Sequence, residues 1–291
     1  MSVDPRHCYP RPPFKAQPQR FPGLSSKMTP EPDYGEKTYR GSGKLKHQVA
    51  LITGGDSGIG RAVALAFARE GADVAIAYLE SEESDARDIA AQVEAEGRRC
   101  ELLPGDLRDA KHCSTIIEQI IEKFGRLDIL VNNAAFQKAR AKLEQVTEEE
   151  WQRHFDTNTS ALFHLTKAAL LHLKPGASII NTSSVNLRVP QPILVPYSMT
   201  KAAIANFTVS MAQQLAGRGI RVNAVLPGPI WTPFIATGMP VEDQEEFGTD
   251  VPLGRPGQPA ELAGAYVYFA DPLNSYTSGA LLTVNGGTPM L

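Results

Sequence analysis

The sequence predicts an α/β protein: a single domain built on a doubly wound parallel sheet, preceded by an extended N-terminal arm. From His47 onward, short apolar runs rich in β-forming residues alternate with longer helical patterns. The runs are apolar throughout, which is typical of strands that helices cover on both faces of a parallel sheet. The first run leads through a glycine-rich turn into a helix, and in such sheets ligands bind beyond the carboxyl ends of the strands.

The predicted elements alternate along residues 47–291, which we assign to one domain with no repeat and no second boundary. The predicted strands are, in chain order, QVALIT, ADVAIAYL, RCELLPGDL, LDILVNNA, ASIINTSS and IRVNAVLPG. Helices are predicted over IGRAVALAFAREG, over SEESDARDIAAQVEAEG with Ser81 as N-cap, and over STIIEQIIEKFG with Gly125 as its stop. Long helices also precede the last two strands. The stripe that predicts the third helix consists of Ile116, Ile117, Ile120, Ile121 and Phe124.

Residues 1–46 differ in composition from the domain that follows. Eight of the 22 prolines lie in positions 1–32, and CYPRPPFKAQPQRFPG has neither helical nor strand periodicity. No apolar stretch typical of a secretory signal follows the N-terminus. One interpretation is a disordered tail. The other, which we favour, is a proline-stiffened arm that lies across the domain or a neighbouring subunit. Disordered tails seldom carry as many aromatic residues as Tyr9, Phe14, Phe21 and Tyr34.

Composition argues against several kinds of partner. The net charge is −3 and there is no dense basic cluster, so we expect no nucleic-acid partner. No apolar run approaches the roughly 20 residues that span a bilayer, so we expect no membrane association. The three cysteines, Cys8, Cys100 and Cys113, show no metal-ligand spacing. They fit a reduced cytoplasmic protein with incidental thiols and no metal site.

The glycine-rich turn, TGGDSGIG at Thr53–Gly60, lies where the first β–α turn is predicted. Gly54, Gly58 and Gly60 would allow a tight turn, a close approach to a pyrophosphate and close packing of helix on strand. The helix that follows would offer unpaired N–H groups and its positive dipole end to the phosphates. Although an isolated glycine-rich turn is weak evidence, the strand before it and the amphipathic helix after it predict dinucleotide binding.

The stretch VPYSMTKAAI places Tyr197 and Lys201 four residues apart on one face of a predicted helix. Taken alone, such a pair is commonly a half-exposed aromatic residue beside a solvated lysine. The alternative is a catalytic pair. A free phenol has a pKa near 10 and is a poor acid or base at neutral pH. A neighbouring ammonium would stabilise the phenolate and move the pKa of Tyr197 toward the working range.

Several motifs, in the expected order, resemble those of the short-chain dehydrogenase/reductase family in its single-domain form with a Tyr-xxx-Lys active site. They are TGGDSGIG, NNA at Asn132–Ala134, the pair Ser183–Ser184, YSMTK and PGPIWT, and the match covers about residues 47–287. The proline-bearing extension and TGGDSGIG further resemble a bacterial subgroup of NAD(P)-dependent aldehyde reductases and general-stress oxidoreductases. The resemblance implies a Rossmann-type fold and hydride transfer between a nicotinamide cofactor and a carbonyl or alcohol substrate.

The resemblance implies roles for four catalytic residues. Tyr197 would protonate the carbonyl oxygen during reduction, and Lys201 would also hydrogen-bond the nicotinamide ribose. Ser184 lies 13 residues before Tyr197 and would hold the substrate oxygen, with Ser183 as the alternative. Asn158 would kink its helix and hold a water of the proton relay behind Lys201, or else pair with local backbone.

The resemblance also implies the cofactor contacts. Asp106, beside Leu107, would bind the adenine amino group, unless it is an ordinary turn aspartate. The sequence departs from the family pattern at Ala135, where NNAA replaces the commoner NNAG, and at Asn285, where aspartate is commoner. The full set of implied cofactor residues is Gly54, Ser57, Gly58, Ile59, Gly60, Tyr78, Asp106, Leu107, Asn132, Ala134, Tyr197, Lys201, Pro227, Gly228, Ile230 and Thr232.

The choice between NAD and NADP stays open, with NADP(H) slightly favoured. An acidic residue after the second strand would bind the adenosine 2′-hydroxyl of NAD, and a basic residue would meet the 2′-phosphate of NADP. Tyr78 stands where NAD-preferring relatives carry aspartate, and Ser57 replaces a basic residue that many NADP users have. Asp56 and Glu80 lie nearby and would repel a phosphate.

The substrate wall is predicted to be mostly apolar, which favours an aldehyde or ketone without excluding polyols and sugars. Its candidate residues also fit lid or subunit packing; they are Val189, Pro190, Ile193, Trp231, Phe234 and Ile235. Two further functions compete with a carbonyl reductase or alcohol dehydrogenase. One is a catalytically silent dinucleotide-binding regulatory or scaffold protein, and the other is dehydration or epimerisation on the same fold. The resemblance implies a homotetramer formed through helices around Asn158–Leu173 and Tyr197–Ala216.

Overall fold

The computed structural model describes residues 3–290 and contains one seven-stranded sheet in which all neighbouring strands run parallel. The spatial order is β3-β2-β1-β4-β5-β6-β7. The direction of strand addition reverses between β1 and β4, so their carboxyl ends border the crevice in which such folds bind ligands. The strands are β1 Val49–Thr53, β2 Asp73–Tyr78, β3 Cys100–Pro104, β4 Ile129–Asn132, β5 Ser178–Thr182, β6 Arg221–Pro227 and β7 Leu281–Val284.

Helices cover both faces of the sheet, which confirms the predicted doubly wound architecture. Adjacent residues of β1 enter different cores, because side chains alternate across a strand: Ile52 packs with α1 and α9, whereas Leu51 packs with α3 and α5. The helices are α1 Gly58–Arg69, α2 Glu83–Ala95, α3 Ala110–Phe124, α4 Glu148–Phe155, α5 Ala161–Ala169, α6 Val195–Leu215, α7 Pro233–Gly238, α8 Val241–Gln244 and α9 Pro259–Ala270.

Three details of the elements test the sequence predictions. Gly125 ends α3 in a left-handed conformation with φ 77°, as predicted. The predicted N-cap at Ser81 is wrong, because Ser81 lies in a short 3₁₀ turn and Glu82 precedes α2. The Glu82 carboxylate accepts the Leu79 N–H at 3.1 Å, a contact that caps the 3₁₀ turn rather than α2. The sequence pattern did not reveal α9 or the half-buried edge strand β7.

The N-terminal segment packs against the domain at both ends of the sheet's carboxyl edge. Phe14 stacks on Trp231 with ring centroids 4.2 Å apart. The Ser25 N–H donates to the Asp85 carboxylate at 2.6 Å, and the Tyr34 hydroxyl donates to Ser25 Oγ at 2.8 Å. These contacts favour the arm over a free tail, while its boundary at residue 46 stays a prediction.

Among residues 3–290, no helix combines the length and apolar character needed to cross a membrane.

Candidate active site

A cavity of about 370 Å³ opens at the carboxyl edge of the sheet. The loops that follow strands β1 to β6 all contribute to its wall, together with the start of α6. Because carboxyl ends of parallel strands meet at one edge, residues far apart in sequence converge there. The predicted site residues that line the cavity are Gly54, Ser57, Gly58, Ile59, Tyr78, Asp106, Leu107, Ala134, Ser184, Tyr197, Lys201, Pro227, Gly228, Ile230 and Thr232.

Two predicted cofactor residues, Gly60 and Asn132, lie behind this wall. A Cβ atom on Gly60 would stand 1.9 Å from the Gly54 carbonyl oxygen, so this glycine allows α1 to pack on the turn. The Asn132 amide is buried and donates to Asn181 Oδ1 at 2.9 Å. Its neighbour Asn133 lines the cavity and donates to the Thr53 carbonyl at 3.0 Å.

The glycine turn has the backbone that its sequence predicts. Gly54 and Gly58 have φ values of 61° and 52°, in the left-handed region that favours glycine. Residues Ser57–Ile59 bring the N-terminus of the 12-residue helix α1 to the cavity. A Cβ on Gly58 would stand 3.3 Å from Thr232 Cγ2, so the turn faces the loop after β6 across a narrow gap. The arrangement fits a dinucleotide whose phosphates meet backbone N–H groups.

Tyr197 and Lys201 are both buried, with 8% and 2% of their surface exposed, and both line the cavity. The Lys201 ammonium donates to the Thr182 carbonyl at 2.8 Å and lies 5.4 Å from the centroid of the Tyr197 ring. The interpretation of this pair as a half-exposed aromatic residue beside a solvated lysine is therefore wrong.

Burial controls the protonation of both groups. It raises the pKa of Tyr197 to about 12, against a smaller lowering by the Ser184 hydroxyl, and it lowers the pKa of Lys201 to about 7. Lys201 is not among the causes of the phenol shift, in which burial outweighs the hydrogen bond with Ser184, so the predicted lowering by lysine is not seen in the protein's residues alone.

The two candidate serines have different partners. Ser183 Oγ donates to the Lys201 carbonyl at 2.7 Å and helps to hold α6. Ser184 Oγ accepts the Asn186 N–H at 3.1 Å and contacts the Tyr197 phenol. The geometry favours Ser184 as the serine that would contact a substrate oxygen.

Asn158 lies outside the cavity, in a π-helical turn at Asp156–Ser160 that interrupts α4 and α5. Its amide accepts the Phe136 N–H at 2.7 Å and donates to Thr200 Oγ1 at 3.0 Å. It thus ties the loop after β4 to α6 one residue before Lys201. The helix is interrupted where the resemblance implies a kink.

The end of the cavity beside β2 is acidic. Asp56 and Glu82 line it, and Asp56 Oδ2 has no hydrogen-bond partner among residues 3–290. Burial raises the pKa of Asp56. Burial, followed by the neighbouring Asp56 carboxyl, raises the pKa of Glu82. Tyr78 also lines this end, and its hydroxyl donates to Glu83. Asp106, which follows the neighbouring strand β3, pairs with Arg108 at 2.5 Å, and both residues line the cavity.

The substrate wall agrees in part with its predicted residues. Phe234 and Ile235 line the cavity. Trp231 is buried against the arm. Val189, Pro190 and Ile193 lie outside the wall, and Val189 is 44% exposed. Among the lining residues that the sequence pattern missed are Phe21, Glu82 and Gln137, which no local signal distinguishes.

Comparison with known proteins places this geometry in context. A family profile described as enoyl-(acyl carrier protein) reductase matches residues 54–289. The chain is 50% identical to "General stress protein 39" of Bacillus subtilis over 92% of this chain and 93% of that protein. It is 43% identical to "NADPH-dependent aldehyde reductase 1, chloroplastic" of Arabidopsis thaliana over 91% and 94%. A short chain dehydrogenase from Burkholderia cenocepacia in complex with NADP superposes with a TM-score of 0.79 and 33% identity, covering 84% of this chain and 98% of that one.

Proposed function

The chain belongs to the short-chain dehydrogenase/reductase family and is an NAD(P)-dependent oxidoreductase, and from this premise we propose that it reduces aldehydes or ketones. One observation carries the proposal: Ser184, Tyr197 and Lys201 line the same cavity as the glycine turn. The relative named as an aldehyde reductase supports the substrate class.

The proposed mechanism gives each residue one task. The Tyr197 hydroxyl donates its proton to the substrate oxygen, while Ser184 Oγ holds that oxygen as negative charge develops. When bound, the reduced nicotinamide supplies the hydride. Lys201, held by the Thr182 carbonyl, stabilises the phenolate that remains. Asn158 positions α6 through Thr200.

The test is an assay of nicotinamide consumption with a panel of aldehydes, ketones and polyols, using NADH and NADPH separately. We expect turnover of an aldehyde or ketone. Binding of the dinucleotide without consumption on any substrate would favour the catalytically silent alternative. Conversion without net consumption would favour dehydration or epimerisation.

We further propose that the acidic end of the cavity sets the nicotinamide preference through its protonation. When neutral, the Asp56 and Glu82 carboxyls can donate to a 2′-phosphate, and when ionised they repel it. Because burial raises both pKa values, the carboxyls ionise only as the pH rises beyond their ordinary range. We therefore expect the KM for NADPH to increase with pH more steeply than the KM for NADH.

Glu82→Gln removes one of these ionisations and is expected to lower the KM for NADPH at alkaline pH by about tenfold, roughly 1.4 kcal/mol of lost repulsion. The matched control is Glu80→Gln, two positions earlier: contrary to the expectation from sequence, Glu80 is exposed and does not line the cavity, so it should not repel the phosphate there. KM values for both nicotinamides across pH provide the readout. Equal pH profiles for Glu82→Gln and the unaltered protein would contradict the proposal.

We also propose a cytoplasmic homotetramer. Exposed apolar side chains on α5 and α6 support assembly through these helices: Phe163 is 47% exposed, Met199 48% and Val209 38%. The free thiols of Cys8, Cys100 and Cys113 support a reducing compartment. Light scattering is expected to give four times the chain mass, and a monomeric mass would refute the assembly.

A further inference from the structure

The N-terminal arm is anchored to the domain on both sides of the stretch that lines the cavity. The Gln19 N–H donates to the Ala236 carbonyl at 2.9 Å, in the helix α7 that follows β6. Further along the arm, the Ser25 N–H donates to the Asp85 carboxylate at 2.6 Å, in the helix α2 that follows β2. Residues 21–23 lie between these two anchors and line the cavity. Because both ends of the stretch are bonded to the domain, its position at the cavity is fixed.

This short stretch contacts two walls of the cavity. A Cβ on Gly23 would stand 3.0 Å from Pro233 Cβ, so the arm backbone lies directly against the wall formed after β6. The Phe21 ring meets a different wall: its centroid is 5.1 Å from that of Phe136, which follows β4, and 4.7 Å from Arg153 Cζ in α4. Since two residues of chain span at most about 7 Å, the arm and the Phe21 side chain together bridge the cavity here.

The same cavity contains the contacts predicted for both ends of a dinucleotide: Tyr78 at the adenosine end, and Tyr197 and Lys201 at the nicotinamide end. The glycine turn lies between these ends, because it follows β1, and β1 stands between β2 and β5 in the sheet. An extended cofactor that uses these contacts runs along the carboxyl edge of the sheet. The carboxyl edge forms one side of its path, and residues 21–23 form another.

We propose that residues 21–23 are the outer wall of the dinucleotide site, so that a bound nicotinamide cofactor leaves only when the arm lifts. The inference depends on the cofactor class of the family and is independent of the proposed carbonyl reduction. Variants of one binding site usually differ more in dissociation rate than in association rate. The rate of cofactor release is therefore the quantity that this wall controls.

The first test is the dissociation rate of NADPH and of NADH, measured by stopped-flow fluorescence while an excess of the oxidised form displaces each. Phe21→Ala removes the ring that reaches the Phe136 wall and should raise the rate for the tighter-binding nucleotide about tenfold. The matched control is Tyr276→Ala, which truncates a fully exposed aromatic side chain outside the cavity and should leave the rate unchanged. An unchanged rate in Phe21→Ala would overturn the proposal.

Limited digestion with trypsin tests the unaltered protein, and it decides the question if Phe21→Ala does not fold. Arg20 is exposed beside Phe21, and cleavage there requires the arm to open locally. Because cofactor binding and arm closure are then linked, a saturating dinucleotide should slow this cleavage about tenfold. Cleavage at Lys142, which is exposed and outside the cavity wall, is the internal reference and should keep its rate.

Equal cleavage at Arg20 with and without the dinucleotide would refute the enclosure. Slowed cleavage and faster release in Phe21→Ala, combined with no turnover of any carbonyl compound, would defeat the proposed function and leave this inference standing.

Discussion

Tyr197→Phe is expected to lower kcat by about a hundredfold to ten-thousandfold, the range that general acid catalysis contributes. The substitution removes the hydroxyl that would protonate the substrate oxygen. It keeps the ring, and with it the packing against Phe234 at 6.1 Å between centroids. Since the glycine turn and α1 are untouched, the dissociation constant for NADPH should stay within about twofold. Steady-state kinetics and fluorescence titration measure the two quantities.

The control is Tyr268→Phe, which removes an exposed hydroxyl that pairs with Thr277 far from the cavity. It should leave both quantities unchanged. Undiminished turnover in Tyr197→Phe would mean that another group delivers the proton. A parallel loss of NADPH binding would mean that Tyr197 acts on the cofactor rather than on the reaction.

Phe14→Ala is expected to destabilise the protein by about 3 kcal/mol, the usual cost of truncating a buried phenylalanine. Phe14 is 7% exposed and stacks on Trp231. The Phe14 N–H also donates to the Glu245 carbonyl at 2.8 Å, so the arm and the loop beyond α8 hold each other. We expect a melting temperature lower by several degrees, measured by circular dichroism.

The same substitution should raise the KM for substrate, because the arm forms part of the cavity. Phe21, Pro22 and Gly23 line it, and Arg153 lies 4.7 Å from the Phe21 ring centroid. Deletion of residues 1–46 should have a larger effect, since it also removes the buried Met28, Tyr34 and Leu45.

Val3→Ala is the control for the arm, because Val3 is 72% exposed. It should change neither the melting temperature nor the KM. An unaltered melting temperature in Phe14→Ala would show that the arm contributes nothing to stability in solution.

Local pattern alone was sufficient for the fold class, although not for every element. The strand and helix alternation, the continuous apolar strands and the glycine turn depend on contacts between near neighbours in sequence. Gly125 could be predicted as a helix stop for the same reason. The edge strand β7 could not, because a run of four residues is too short for periodicity to distinguish a strand from a loop.

The candidate site likewise has features that local sequence predicts and features that depend on tertiary contacts. The sequence by itself determined the glycine turn and the Tyr197–Lys201 pair. The glycine turn consists of consecutive residues, and the two members of the pair lie one helical turn apart, so both features depend on local structure. Only the tertiary structure decided that burial, rather than lysine, dominates the phenol pKa.

The tertiary structure also decided that Trp231 packs under the arm, where its Nε1 donates to the carbonyl of Pro30, 201 positions away. Glu82 and Gln137 likewise reach the cavity only through folding. Burial and long-range contacts are properties of the assembled cavity, and no stretch of neighbouring residues encodes them.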